Sequence, residues 1–503
     1  MQAALATVSR ITSGETTGKL FVFGVLFVAA MTAYRLLPAG GFVPRAIASV
    51  VYVVNPFVYG RLHYGQLFLL AGYAALPWVA LGLRRLFLKP DLATALLAAA
   101  SVVLLGIASL HLLLVAGLIG ATLLVTHTAA AKRRLVYMKR IAPALGLTVG
   151  VSLAASSYWV IPLLRGSGPE GSLLAGIGAE QLHTFAAVPD PNLGLLPNLI
   201  GLYGFWAENT GLFASMKGFV RFWPVVLMAL LLVGSMGAIA TVRQSRSEAR
   251  PWVAALLLAA VIALVLEMGV SHPLTAGMVT WLDAHIGVYG GMRDAAKWAA
   301  LLALVYSQLV GLGAAAILEW LRKAMRGAAK TEWVIGVATG LLLALPLYYG
   351  NGLLFGMHGE IKPSQYPPGW YAADRALAAD SHPGRTLFLP WHEYMAYSFV
   401  RNQNRVVASP APTFFSTPVV VSTNPEVPGV APPTNPDQVA ISELVKRGAQ
   451  GNWAQTLNGL GIKYLLLARD GDWKSYGYLD DQVGLTKVGD FGSIVLYRSS
   501  LAT

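Results

Sequence analysis

Hydrophobic and polar positions are segregated along this chain on a scale much longer than a helix turn. Ten apolar stretches, near residues 20–36, 45–60, 66–83, 92–110, 111–130, 141–163, 220–241, 251–269, 296–320 and 332–350, are separated by short polar loops. A bilayer-spanning helix needs about 20 mostly apolar residues, because each backbone N–H and C=O must be satisfied within lipid. The pattern therefore predicts an α-helical polytopic domain over 19–350. It is preceded by a segment, 1–18, that lacks the apolar core of a signal peptide. The fourth and fifth stretches are divided only at Ser109–His111.

From Asn351 to Thr503 the texture changes. Pro and Gly punctuate the chain, and short β-rich runs appear at 385–390, 405–409, 463–468 and 493–498. Segments 438–449 and 453–460 read as helices feeding the third of these runs. The expectation is a separate small α/β domain over 351–503.

Composition agrees with a membrane protein: 55% of residues are hydrophobic and 12% charged, with a mean hydropathy of +0.58. Soluble domains carry about 25% charged residues. The net charge of +13 could suggest nucleic acid, but the cations cluster in short loops, at Arg84, Arg85 and Lys89, at Lys132, Arg133 and Arg134, at Arg243, Arg246 and Arg250, and at Arg322, Lys323, Arg326 and Lys330. Such loops face the cytoplasm under the positive-inside rule. The basic excess is thus a topology signal. It places the C-terminal domain and the loops 61–66, 165–217 and 271–293 on the exterior face. The chain has no cysteine, which excludes disulfides, thiolate metal sites and thiol nucleophiles.

Three motifs mark the exterior boundary. In NPFVYGRLHYGQ (55–66), Asn55–Pro56 breaks the second span, and Arg61, His63 and Gln66 gather beyond the break, either as interfacial anchors or as substrate contacts. SYWVIPLLRG (157–166) reads mainly as an aromatic belt with a helix stop. GGMRDAAKW (290–298) puts Arg293, Asp294 and Lys297 at the exterior start of the ninth span, the wrong flank for cations. Placed on one helical face by i, i+4 spacing, Arg293 and Lys297 would form an anion site together with the helix N-terminus; alternatively, Asp294 neutralises one cation in a structural pair. Glu180, Asp190 and Glu208 in the long loop are candidate general bases, solvated loop acids being the bland alternative. Glu267 lies inside the eighth span, where a charge is costly and usually functional, although it is close enough to the exterior end to snorkel. No GxxxxGK[ST], HExxH or GxSxG motif is present, so nucleotide-hydrolase, zincin and serine-hydrolase readings lack support.

Taken in order, NPFVYGRLHYGQLFLLAGYAALPW, SYWVIPLL, MRDAAKW, LNGLGIKYLLLARD and the terminal SIVLYR resemble GT-C-type polytopic membrane glycosyltransferases, in particular YfhO-related proteins and the larger mycobacterial arabinofuranosyltransferases. The resemblance runs from about residue 20 to 498. It implies many transmembrane helices with an exterior domain, a sugar donor carried on a polyprenyl phosphate, and transfer on the outer face. Arg293 and Lys297 would then hold the donor phosphate, with His63 and Gln66 near the cavity mouth. One departure is notable. The first span matches the family's second helix, so the family's first helix and its catalytic acidic loop are expected to be missing. That acid also holds a divalent cation in some members. The sequence identifies no metal site or cofactor, and these outcomes stay open: a membrane partner subunit supplies the missing part, the sequence starts too late to include it, Glu208, Asp190 or Glu180 substitutes, or catalysis is lost and the chain is a non-catalytic subunit of a larger membrane complex.

Overall fold

A computed structural model describes residues 2–38, 40–165, 180–211, 213–244, 249–402, 406–427, 430 and 432–500. Gly166 of the second boundary motif, Arg246 of the basic loops and Arg405 of the second strand run lie outside the described residues. The chain forms two compact units, Met1–Leu354 and Phe355–Thr503.

In the first unit, eight helices among the described residues are long and apolar enough to cross a membrane: Gly14–Leu36, Leu67–Leu88, His111–Ala130, Arg134–Leu164, Trp223–Arg243, Ala249–Ser271, Ala295–Ala324 and Thr331–Tyr349. A further pair, Phe42–Val53 and Pro56–His63, passes the same test only when joined, and bends by 42° at its break. Leu92–Ala108, with 17 residues, is apolar but shorter. Together these elements cover the ten apolar stretches. The first span extends beyond its apolar window, to Gly14, where a polar cap sustains the helix. Ser13 accepts from Thr16 N–H at the first span, and Asp91 forms a capping box with Thr94.

Two helices form the middle of the bundle. Ala295–Ala324 is 78% buried along its most apolar window and Leu67–Leu88 67%, against 11% for Arg134–Leu164 on the periphery. The central helix crosses Trp223–Arg243 closely enough that only glycine fits. A Cβ on Gly313 would lie 1.9 Å from the Val233 carbonyl oxygen, and one on Gly237 would lie 2.4 Å from the Gly313 nitrogen. Small residues of this kind allow backbones to approach in lipid, where packing rather than water exclusion drives association.

The second unit holds a five-stranded sheet in the order β4-β1-β5-β7-β6, with β1 Arg385–Leu389, β4 Val419–Val420, β5 Ile462–Ala468, β6 Leu485–Asp490 and β7 Ile494–Ser499. A separate hairpin pairs β2 Tyr394–Ala396 with β3 Val406–Ala408. The β4–β1 and β1–β5 pairs are parallel, while the β5–β7 and β7–β6 pairs are antiparallel. Alternation sends Phe388, Leu466 and Leu496 to one face, against Trp370 and Leu377. Leu387, Leu389, Leu465 and Leu467 cover the other face, against Ile441, Trp453 and Leu457. The predicted α/β tail is therefore present, with helices at Pro436–Arg447 and Trp453–Gly459. Sequence patterning missed β6, most of whose side chains are exposed. It also missed the helix Pro368–Ala378, because its Pro-rich lead-in reads as a turn although Pro is favoured in a first helical turn.

Candidate functional site

The break in the second span is built by one residue. Asn55 Oδ1 accepts from Val58 N–H at 3.0 Å, capping the short helix Pro56–His63. Its Nδ2 donates back to the Val51 and Tyr52 carbonyls at 3.1 and 2.6 Å. The groups freed by the bend are thus satisfied without water. Tyr52 and Tyr73 stack at 4.0 Å beside it, and each hydroxyl donates to the other's carbonyl at 2.7 Å.

The short helix delivers Arg61, only 1% exposed, to Asp294. Nη1 lies 2.5 Å from Oδ2 and Nη2 lies 3.5 Å from Oδ1, while Gln66 Oε1 accepts from Nη1 at 2.8 Å. The guanidinium also lies over Phe57 and Phe205, at 5.1 and 4.7 Å. Asp294 therefore does neutralise a cation, but a distant one, 233 positions away in sequence.

The expected shared helical face of Arg293 and Lys297 is corrected by the backbone. Gly287–Met292 and Ala295–Trp298 are separate 3-10 turns, and the regular α-helix begins only at Ala299. Arg293 thus precedes the helix. It donates to Gln181 Oε1 and lies 4.9 Å from the Phe185 ring. Lys297, 8% exposed, turns inward, and its Nζ donates to the Gly291 carbonyl at 2.7 Å. A Cβ on Gly291 would meet His111 Nδ1 at 3.2 Å, so the fifth span begins against this loop. Glu267 is completely buried, and neither carboxyl oxygen has a hydrogen-bond partner among the described residues. The charges of Arg61 and Asp294 both act on it. Burial of this kind argues against snorkelling.

A second cluster centres on Lys217. Its Nζ lies 3.0 Å from Asp190 Oδ2 and 3.5 Å from Glu208 Oε2, and 5.1 Å from the Tyr203 ring. The two carboxyls differ in environment. Burial disfavours the Asp190 carboxylate, but Lys217 and the Asn192 and Leu193 N–H groups outweigh that and hold its pKa below the ordinary value. Burial dominates at Glu208 and raises its pKa, despite Lys217 and the Gly204 N–H. Paired carboxyls driven apart in this way are a common source of acid–base roles. Glu180 is exposed at the start of the helix Glu180–Thr184, whose next residue, Gln181, is the one that reaches Arg293.

An aromatic wall lies between the two clusters. Phe205 contacts Arg61 on one side, and its carbonyl accepts from Glu208 N–H at 2.9 Å on the other. Tyr64 packs on Phe205 and Trp206 at 5.1 and 5.3 Å, His63 packs on Phe213 at 5.0 Å, and Phe185 meets Trp206 at 4.9 Å. Between the spans, an apolar cavity of about 430 Å³ has Asn55, Ser235, Tyr306 and Tyr349 as its polar lining and aliphatic side chains over much of the rest. Among the described residues, no group of three or more His, Asp or Glu side chains is placed to hold a metal ion.

Sequence reasoning missed Lys217, Gln181 and His111. Lys217 was detectable, since the positive-inside reading that singled out Arg293 and Lys297 puts it too on the unexpected flank for a cation. The other two carry no local signal.

These features define a polytopic helical membrane domain joined to an α/β domain, with a charged, aromatic-lined site in one end of the bundle. That architecture is similar to a solved structure of the arabinofuranosyltransferase AftD from mycobacteria, with a TM-score of 0.62 and 17% identity over 99% of this chain and 35% of that one. A mutant form of AftD is similar to the same degree, with a TM-score of 0.59 over 98% of this chain and 36% of the other. The chain therefore spans about a third of the length of these proteins and shares their fold over that part. No protein-family model and no curated protein matches the sequence.

Proposed function

We propose that this chain is a GT-C-like membrane protein that handles polyprenyl-phosphate-linked sugars on the outer membrane face, in assembly of envelope glycan or glycoprotein. The observation that carries the reading is the continuity of the buried cation cluster with the Asp190–Glu208 carboxyl pair through Phe205. Those three environments suit a phosphate, a sugar and an acceptor hydroxyl in turn. The half-buried Arg293, which donates to Gln181 and lies against the Phe185 ring beside the Arg61–Asp294 pair and Lys297, is the leading phosphate contact. The apolar cavity suits the isoprenoid tail.

In this account Glu208 removes the proton from the acceptor hydroxyl as that oxygen bonds to the anomeric carbon. The bond from that carbon to the phosphate oxygen breaks, and the departing phosphate keeps the electron pair. Arg293 and Lys297 stabilise its charge. Asp190, fixed by three donors, positions Lys217 and through it Glu208.

Proteoliposomes containing the full chain and a radiolabelled polyprenyl-phosphate sugar test this reading. Glu208→Gln is expected to abolish transfer and to leave donor retention intact. Transfer by the variant at the wild-type rate would remove Glu208 from the chemistry. Absence of both donor retention and transfer in the wild type would overturn the proposal.

A further inference from the structure

The eighth span does not lead into an ordinary loop. Its last turn is the 3-10 turn Gly269–Ser271, and Gly269 adopts φ +54°, a conformation glycine accepts without strain. The chain then enters the helix Pro273–His285, where His272 Nδ1 accepts from Leu274 N–H at 3.2 Å. One side of this helix packs inward through Thr275 and Val279, 4% and 3% exposed, and Thr275 Oγ1 donates to the Gly269 carbonyl at 2.6 Å.

The opposite side is apolar and open. Leu274 is 87% exposed and Trp281 55%, and Met278 lies between them on the same face. His285, one turn further, stacks on Trp281 at 4.8 Å and 17°. Exposed Ile286 and Val288 prolong the strip. Spacings of four, three and four place 274, 278, 281 and 285 on one stripe, and none of them is Asp, Glu, Lys or Arg. A helix face turned toward water normally carries charge, and a contiguous apolar strip marks a contact surface.

We propose that this helix lies in the plane of the membrane, with the Leu274–Met278–Trp281 face inserted in the interfacial layer of the leaflet where the eighth span ends. Continuity argues for lipid as the occupant. The strip starts within three residues of the end of a membrane span, at the boundary where Trp is enriched. Interfacial helices bury their apolar face about 5–10 Å into the headgroup–acyl boundary. The 3-10 turn Gly287–Met292 follows directly, and its Gly291 carbonyl holds Lys297. The in-plane helix thereby sets the cation cluster at headgroup depth. That consequence rests on the lipid-phosphate reading above; the depth of the helix does not.

The chain has no cysteine, so Met278→Cys carries a unique label. With an environment-sensitive fluorophore there, in proteoliposomes of phosphatidylcholine and phosphatidylglycerol, the expected result is a blue-shifted emission. It should be quenched most by lipids spin-labelled near the headgroup and little by aqueous iodide. Leu274→Cys gives the same readout from an independent position. Iodide quenching without lipid quenching would show a face in water, and protection from both would show a face covered by protein. Strongest quenching by labels near the acyl terminus would place it too deep. Each of these three results overturns the proposal, whatever the outcome of donor-binding assays.

Discussion

Replacing Asp294 by Asn tests the buried pair that organises the site. Arg61 is 1% exposed, and the change takes away the negative charge facing it while keeping one amide oxygen as acceptor. What remains is the Gln66 hydrogen bond at 2.8 Å and two aromatic faces. Removing one partner of a buried ion pair costs about 3–5 kcal/mol, because the other charge stays buried. Asn should fall near about 3 kcal/mol, and Leu, which leaves no acceptor, near about 5 kcal/mol. The double variant Arg61→Met/Asp294→Leu should cost less than Asp294→Leu alone, since no charge is stranded. Glu267 adds a further expectation. Its carboxyl has no hydrogen-bond partner among the described residues and feels Arg61, so it is the natural substitute anion. Adding Glu267→Gln to Asp294→Asn should therefore destabilise by more than the sum of the singles, with a coupling of about 0.5–3 kcal/mol. Unfolding of the full chain by SDS in mixed micelles reads these differences. A cost for Asp294→Asn within about 0.5 kcal/mol of zero, the range of ordinary surface changes, would refute the reasoning.

Other consequences follow from the same contacts. If Glu208 is the base, transfer must fall as pH drops through its raised pKa, and Lys217→Met, which removes a charge that lowers that pKa, should move the acidic limb of the pH–rate profile to higher pH; an unmoved limb would separate Lys217 from Glu208. In the C-terminal unit, His392 hydrogen-bonds Glu426 at 2.7 Å and Asp472 at 3.1 Å. Burial opposes its protonation, but the two carboxylates win and raise its pKa. A raised folded-state pKa means that this stabilisation is complete below the unfolded value, about 6.5, and fades as pH rises through the higher folded value. Amide exchange around 391–393 and 424–426, corrected for intrinsic rates, should accelerate over that window, and Glu426→Gln should flatten the response. Asn55→Leu removes a helix cap and two carbonyl contacts, so SDS unfolding should show a loss of about 2 kcal/mol or more; a neutral change would mean that the bend is held by packing alone.

Much of this architecture was legible in the chain because lipid imposes a strict rule on it. Uninterrupted apolar length and the Asn55–Pro56 break are local features, and the observed spans follow them. In the tail, the run at 463–468 is rich in leucine and the run at 493–498 combines β-branched and large apolar residues, and they became adjacent inner strands of the sheet. The site was legible only in its ingredients. Cations on the wrong flank pointed to Arg293 and Lys297, yet the idea of a common helical face failed because two 3-10 turns precede the regular helix. Nothing local could show that Arg61 pairs with Asp294 across 233 positions, because the pairing depends on how the broken second span packs against the ninth. Asp190 and Glu208 were visible as loop acids, but their different environments arise from Lys217 and from unequal burial, which only the folded loop creates.

Native mass spectrometry of the chain, extracted gently from its own membrane, tests the central claim most directly. The account predicts a co-purifying lipid bearing a polyprenyl phosphate, lost or much reduced in Arg293→Ala while the folded protein is retained. A wild-type chain that carries no such lipid, and that binds added polyprenyl phosphate no better than the variant does, would contradict it.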